Sequence, residues 1–311
     1  MAQGSTPHRV AVLDDYQGLS VSHFDALDKA VFDVTVFRDT LLPWNHPDTP
    51  QHVKEALSIP VAGTADKSTG TQVGTNSTTE HCVTLVLALA RGIARDDAAV
   101  KAGLWQTGFA TGLTCKTFAV VGLGRLGVAT AKILRMAFGM RIIAWSQNLT
   151  QEIADEKAKS AGFPVEDPSG EKTFKVVSRE ELFSEADVLS VHLVLSDRTR
   201  DLIKADDLNR MKKNAFLINT SRGPLIHEGD LLAILKKGAI QGAALDVYGI
   251  EPLPTDSEWR TTKWGEDGRS QVLLTPHMGY VEPGTLNAWY GQQVDNVKRW
   301  HEGDVLVNPL A

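Results

Sequence analysis

The chain has 311 residues, 42% of them apolar, and a formal net charge of −6. That length suggests two domains, and the acidic balance, with no basic stripe against it, argues against nucleic acid as a partner. Cys82 and Cys115 are too few for a disulfide framework and suit a reducing compartment.

Met1 to Val10 has no apolar core of signal-peptide length, and the longest apolar stretch, Cys82 to Ala90, is too short to span a bilayer. The expectation is a cytoplasmic protein with no membrane partner. Arg9 to Leu13 reads as a strand ending in Asp14-Asp15. Ser22 is placed to cap a helix running to Lys29, and Asp33 to Phe37 reads as a second strand, so the chain opens on a βαβ unit. Leu41 to Pro50, with Pro43, Pro47 and Pro50, is a loop. A short helix over Gln51 to Leu57 and a strand over Ile59 to Ala62 follow. Gly63 to Ser77 is then rich in Gly, Thr, Ser and Asn with little to bury, which reads as a functional loop or as the mark of a missing segment. Ser77-Thr78-Thr79-Glu80 reads as a capping box that opens an apolar helix to Ile93, with a second helix over Arg95 to Ala102.

The chain is organised around the next stretch. Thr117 to Val121 is an apolar, partly β-branched run that predicts a buried parallel strand. Gly122-Leu123-Gly124-Arg125-Leu126-Gly127 follows, then a helix over Val128 to Phe138 closed by Gly139. Strand, G-x-G-x-x-G and helix form the dinucleotide-binding arrangement. The first glycine permits a tight turn, the second lets backbone approach a pyrophosphate, and the third lets helix and strand pack closely. The helix N-terminus turns its N–H groups toward the phosphates.

Beyond it, strands are expected over Met140 to Ser146, Lys175 to Val177, Val188 to Leu193, Ala215 to Thr220, Gly242 to Val247 and Val272 to Thr275. Helices over Thr150 to Ala161, Ser178 to Glu185, Ala205 to Met211 and His227 to Lys237 alternate with them. Regular alternation predicts an α/β fold with a doubly wound parallel sheet. The last helix, Pro283 to Trp300, comes after the sheet is complete. The expected division is a dinucleotide-binding domain over 81–281 and a smaller domain from 1–80 plus 282–311, with the ligand in the cleft between them.

Three stretches follow sheet strands, where ligands bind in open α/β folds. They are Asn219 to Pro224, Asp246 to Pro252 and Leu274 to Gly279, and each carries one ionisable group: Arg222, Glu251 and His277. These types suit reduction of a 2-oxo acid. Arg222 can pair with a carboxylate, His277 can supply the proton that accompanies hydride delivery, and Glu251 can accept from the other ring nitrogen and fix its tautomer. Any one of them alone is more often a solvated loop residue or a turn. Together, downstream of a glycine turn, they outweigh that reading. No metal is called for.

Val121 to Gly127, Asn219 to Pro224, Ala244 to Val247 with Glu251-Pro252, and Thr275 to His277 with Gly279 resemble the D-isomer-specific 2-hydroxyacid dehydrogenase family, almost continuously from Glu80 to Gly279. The resemblance implies a Rossmann domain joined to a smaller flavodoxin-like one. It implies Arg222 as substrate anchor, Glu251 as orienter and His277 as acid/base, Asp246 near the nicotinamide carboxamide, and His192, Thr220 and Ser221 along the cofactor with Gly279. It also implies a homodimer built around the cofactor domains.

Two features depart from the family pattern. Ser146-Gln147-Asn148 stands where members usually place an acid for the adenine ribose, and no Arg follows, so the cofactor is expected to be NAD or NADP. The N-terminal domain is short between Thr40 and Gly74, where Gly63 and Thr64 resemble the family's carboxylate-binding loop, and it reads as truncated. The leading expectation is an NAD(P)-dependent oxidoreductase of small 2-oxo and D-2-hydroxy acids. The alternatives are an NAD(H)-binding regulator, a catalytically impaired member, or an inert truncated product.

Overall fold

The structure is a computed structural model, and it describes residues 6–38 and 76–307. The chain divides into two compact units, residues 1–74 with 280–311, and residues 75–279. The sequence readings between Leu41 and Gly74, including the helix over Gln51 to Leu57, the strand over Ile59 to Ala62 and the loop residues Gly63 and Thr64, lie outside the described residues.

In the first unit, β1 (His8–Val12) and β2 (Phe32–Val36) pair in parallel, joined through the short helix α1 (Ser20–Phe24). The expected cap does not form: Ser22 lies inside α1, and its hydroxyl donates to the Leu19 carbonyl. The Asp15 carboxylate instead accepts from the N–H groups of Leu19 and Ser20. A carboxylate set back on the preceding loop reaches two orphan donors at once, and its charge favours the helix N-terminus. Leu286, Tyr290 and Val294 of the last helix complete this unit's core with Val12, Phe24, Leu27 and Phe32.

The second unit opens with helix α2 (Ser77–Arg91), which ends on the left-handed Gly92, where α3 (Ile93–Lys101) begins. Asn76 is the cap of α2, its side chain accepting from Thr79 N, so the helix begins one residue earlier than the Ser77 capping box implies. The following elements are β3 (Thr117–Val121), α4 (Arg125–Phe138), β4 (Arg141–Trp145), α5 (Gln151–Ser160), β5 (Lys175–Val176), α6 (Arg179–Glu185), β6 (Val188–Val191) and α7 (Ala205–Leu208). They continue through β7 (Phe216–Asn219), α8 (Glu228–Lys236), β8 (Gly242–Leu245), α9 (Glu258–Thr261) and β9 (Gln271–Leu274), and α10 (Pro283–Glu302) belongs to the first unit. The Ser178 capping box on α6 forms as its sequence implies.

All seven strands of the large sheet are parallel, in the order β5-β4-β3-β6-β7-β8-β9. Strand residues alternate between two apolar layers. Phe118, Val120, Ile142, Ala144, Phe216 and Ile218 face α2, α4 and α5. Ala119, Val121, Ile143, Leu189, Leu217 and Ala243 face α6, α7 and α8. Burial on both faces is why these strands read as continuous apolar runs. The strand order reverses between β3 and β6, so the turn leaving β3 opens at the topological switch point.

Candidate active site

The three glycines of the turn are glycine for different reasons. Gly122 has φ 98, which L side chains rarely adopt. A Cβ on Gly127 would lie 2.5 Å from the Gly122 carbonyl oxygen, so this glycine lets α4 close on β3. Gly124 has neither constraint: its backbone is extended and no heavy atom lies within 4 Å of a Cβ there. Among the described residues nothing demands a glycine at this position. A group approaching the backbone from outside would. Gly124 is also the cap of α4, with no side chain capping it and no acid in the helix's own first turn. An uncapped fourteen-residue helix with this electrostatic profile fits a dinucleotide pyrophosphate.

The other expected cofactor residues gather at the same edge of the sheet. The Gly122 N–H donates to the Trp145 carbonyl at 2.9 Å, and Ser146 and Gln147 continue from there. His192 leaves β6 with its N–H on the Val121 carbonyl. Its Nε2 is 2.9 Å from Ser190 Oγ, and burial pushes the imidazole down to about 4, so the ring is neutral at pH 7. Thr220 is buried, and the Ser221 hydroxyl donates to the Leu193 carbonyl at 2.7 Å.

Arg222 follows β7 in a turn folded by Asn219. The buried Asn219 side chain accepts from Ser221 N and donates to the Arg222 carbonyl. A Cβ on Gly223 would lie 2.1 Å from the Tyr248 carbonyl carbon, so this glycine lets the Arg222 turn close on the loop leaving β8. Arg222 itself is exposed, its Nη1 donating to the Ser221 carbonyl.

Glu251 and His277 meet in the fold. His277 Nδ1 is 2.6 Å from Glu251 Oε2, while Glu251 Oε1 accepts from the Tyr248 N–H at 2.8 Å. Burial raises the Glu251 carboxyl, but the hydrogen bonds from His277 and Tyr248, with the charges of His277 and Arg222, carry it below its ordinary value. An ionised Glu251 accepts from Nδ1 and so assigns a hydrogen to that nitrogen.

Asp246, 1% exposed, accepts from Thr275 Oγ1, Met278 N and Gly279 N, and stands 3.2 Å from His81 Nε2. Tyr248 Oη donates to the carbonyls of Leu245 and Thr275, tying the exit of β8 to that of β9. The sequence reading did not single out His81, Tyr248 or Thr275. Thr275 and Tyr248 lie inside stretches it did quote. His81 carries no local signal, being one polar residue in an apolar helix. Arg222, Glu251, His277 and the glycine turn thus share the carboxyl edge of one sheet. Gly63 and Thr64 lie outside the described residues. Among those residues, no group of three or more His, Cys, Asp or Glu could hold a metal ion, and no helix is long and apolar enough to cross a membrane.

Residues 83–279 match the family described as D-isomer specific 2-hydroxyacid dehydrogenase, NAD binding domain. A protein of Aeropyrum pernix named glyoxylate reductase is 35% identical over 243 residues, which is 75% of this chain and 66% of that protein. A protein of Synechocystis named D-3-phosphoglycerate dehydrogenase is 35% identical over 202 residues, 64% of this chain and 32% of that one. The chain therefore spans less than two-thirds of the length of either relative. Among solved structures, a phosphoglycerate oxidoreductase from Vibrio cholerae aligns with a TM-score of 0.74 at 26% identity, over 95% of this chain and 99% of that one. With its family match running from one end of the parallel sheet to the other, the chain belongs to the D-isomer specific 2-hydroxyacid dehydrogenase family.

Proposed function

We propose that the chain is a nicotinamide-dependent oxidoreductase that interconverts a small 2-oxo acid and its D-2-hydroxy acid. The observation that carries this reading is the 2.6 Å pair of His277 Nδ1 and Glu251 Oε2 at the sheet edge that also bears the glycine turn. The nicotinamide, when bound, supplies or accepts the hydride. The chain's residues do the rest. Arg222 pairs with the substrate carboxylate. With Nδ1 held by Glu251, the proton that His277 gives to the carbonyl oxygen is the one on Nε2, and the ionised Glu251 stabilises the protonated ring before transfer. Gly122, Gly124 and Gly127 with the N–H groups at Arg125 and Leu126 would hold the pyrophosphate. Ser146 and Gln147 would meet the adenine ribose, and His192, Thr220, Ser221, Asp246 and Gly279 would line the nicotinamide half. A neutral His192 adds no positive charge beside an oxidised nicotinamide ring.

The unit of residues 75–279 is assigned as the cofactor domain, and residues 1–74 with 280–311 as the substrate domain, with Gly63 and Thr64 proposed as substrate-binding residues. Glyoxylate is the first substrate to test, because a relative bears the name glyoxylate reductase. On this reading the protein is a cytoplasmic homodimer. Support for the dimer comes from α3, which buries none of its residues, and from Leu104, Trp105 and Phe109, which are 57%, 78% and 96% exposed. Exposed large apolar side chains suit an interface core, and Trp105→Glu is expected to yield monomer on size-exclusion chromatography with light scattering.

Titration of NADH and NADPH fluorescence, followed by a screen of glyoxylate, hydroxypyruvate and pyruvate, tests the whole reading. Saturable nucleotide binding with turnover that His277→Ala abolishes is the expected result. Binding without turnover on any 2-oxo acid would make the chain a nucleotide-binding regulator or an impaired member, and no binding at all would overturn both.

A further inference from the structure

We propose that His81 is a positioning residue for the acid/base loop: from helix α2 it locks, through Asp246, the backbone that presents His277. The proposal rests on the reading of His277 as the proton donor. His81 lies just before the matched segment of residues 83–279, on an element that carries none of the residues assigned above.

His277 has φ 55, a left-handed conformation that costs a non-glycine residue about 1 kcal/mol or more. Such a residue keeps one orientation only where its surroundings over-determine it. Here three consecutive N–H groups converge on one aspartate. His277 N donates to the Asp246 carbonyl at 2.8 Å, Met278 N to its Oδ1 at 2.8 Å, and Gly279 N to its Oδ2 at 3.0 Å. The orientation of the Asp246 carboxylate therefore sets the path of the loop.

The orientation of that carboxylate is set in turn from α2. Thr275 Oγ1 donates to Asp246 Oδ1 at 2.6 Å, which uses the hydroxyl hydrogen. His81 Nε2 lies 3.1 Å from Thr275 Oγ1 and 3.2 Å from Asp246 Oδ1. An ionised carboxylate cannot donate and the hydroxyl hydrogen is already committed, so His81 Nε2 carries the hydrogen, shared between the two oxygens. His81 is thus the one side chain that ties the Asp246–Thr275 pair to another element of the unit among these contacts. That element is firmly held: Asn76 caps α2, and Cys82, Leu85, Val86 and Leu89 are buried in the sheet core. The first turn of α2 also touches the loop itself, since a Cβ on Gly279 would lie 3.4 Å from Thr78 Cγ2. Without His81 the buried carboxylate keeps its charge but loses a donor, and can turn with the loop attached.

Three variants test this in the full chain. His81→Leu removes the donor, His81→Gln places an amide N–H near the position of Nε2, and His81→Asn is polar but too short to reach. Hydrogen exchange at Met278 and Gly279 is expected to quicken about tenfold or more in His81→Leu and to return toward the parental rate in His81→Gln, with residues 117–121 unchanged. In glyoxylate reduction kcat should fall by about ten- to a hundredfold in His81→Leu, with most of the rate recovered by His81→Gln. If His81→Leu loses the slow exchange of 117–121, His81→Asn takes its place with the same expectations. Unchanged exchange across 275–279, or a Gln variant no better than Leu, overturns the proposal. A parental protein that turns over no 2-oxo acid overturns the reading of His277 instead, and the exchange arm still decides whether His81 holds the loop.

Discussion

Tyr290 Oη donates to Asp15 Oδ1 at 3.0 Å, joining residues 275 positions apart in the chain. The same carboxylate accepts from Leu19 N, Ser20 N and Ser20 Oγ, and no part of Asp15 is exposed. One side chain thus caps α1 and ties α10 to the strand it follows. Tyr290→Phe is expected to destabilise the first unit by about 1–3 kcal/mol, because a hydrogen bond to a buried charge is lost. Urea denaturation, with exchange at residues 8–12 and 286–294 as the local readout, measures it. Burial raises the Asp15 carboxyl, but the Ser20 hydroxyl and N–H, Tyr290 and Leu19 N–H outweigh it and hold the group below its ordinary value. Its contribution is therefore full above the unfolded carboxylate pKa, about 3.9, and is lost as pH falls through the lower folded value. Asp15→Asn should flatten that acid-side loss.

Glu251→Gln keeps the shape at His277 but removes the charge. Reduction of glyoxylate should fall by about 10²–10⁴-fold, the usual contribution of a positioned acid/base pair, while NADH affinity changes little. The folded Glu251 carboxyl lies below its ordinary value, so the stability it contributes is present above the unfolded pKa and fades as pH falls through the folded one. Thermal melts from about pH 6, above the ordinary glutamate value, down to about pH 2 should bring parent and variant together at the acid end. A variant with parental kcat would remove Glu251 from the mechanism.

The glycine turn makes a prediction that separates fold from ligand. Gly124→Ala meets no protein atom within 4 Å and should cost less than about 1 kcal/mol of stability, yet weaken nucleotide binding at least about tenfold. Gly127→Ala drives a Cβ to 2.5 Å from the Gly122 carbonyl oxygen and should cost about 1–3 kcal/mol in the fold itself. Calorimetric melting beside fluorescence titration distinguishes them. Equal nucleotide affinity in Gly124→Ala and parent would mean that no phosphate passes over this turn.

Cofactor preference should be weak. Trp145 ends β4, and Ser146, Gln147 and Asn148 bring neither an acid to repel a 2′-phosphate nor a cation to attract one. Arg179 stands over the Trp145 ring at 5.3 Å, but its Nε and Nη2 are bound to Asp207 at 2.8 and 2.7 Å. A tenfold preference needs about 1.4 kcal/mol, and Ser146→Asp should add about that much in favour of NADH. Steady-state kcat/KM with both cofactors checks it; a parental preference beyond about a thousandfold would show an unrecognised determinant.

Several features set by short-range patterning were legible in the sequence alone, though the caps at Ser22 and Ser77 were not. Thr117 to Val121 reads as a buried parallel strand because both of its faces are covered, which leaves no polar alternation. The Ser178 box and the stop at Gly139 involve groups within five residues of one another. Arg222, Glu251 and His277 stood out because each follows a legible strand, and parallel strands deliver all their carboxyl ends to one edge. Tertiary structure decided whatever depends on partners distant in the chain. Asp15 replaces Ser22 as the cap of α1 because Tyr290 and the carboxylate's own reach hold it there. Gly223 is glycine because the Tyr248 backbone lies against it. His81 is one polar residue in an apolar helix until folding sets it beside Asp246, 165 positions away. A hydrogen bond has no signature in the sequence when its partners are separated by most of a domain, because only the packed core determines which surfaces meet.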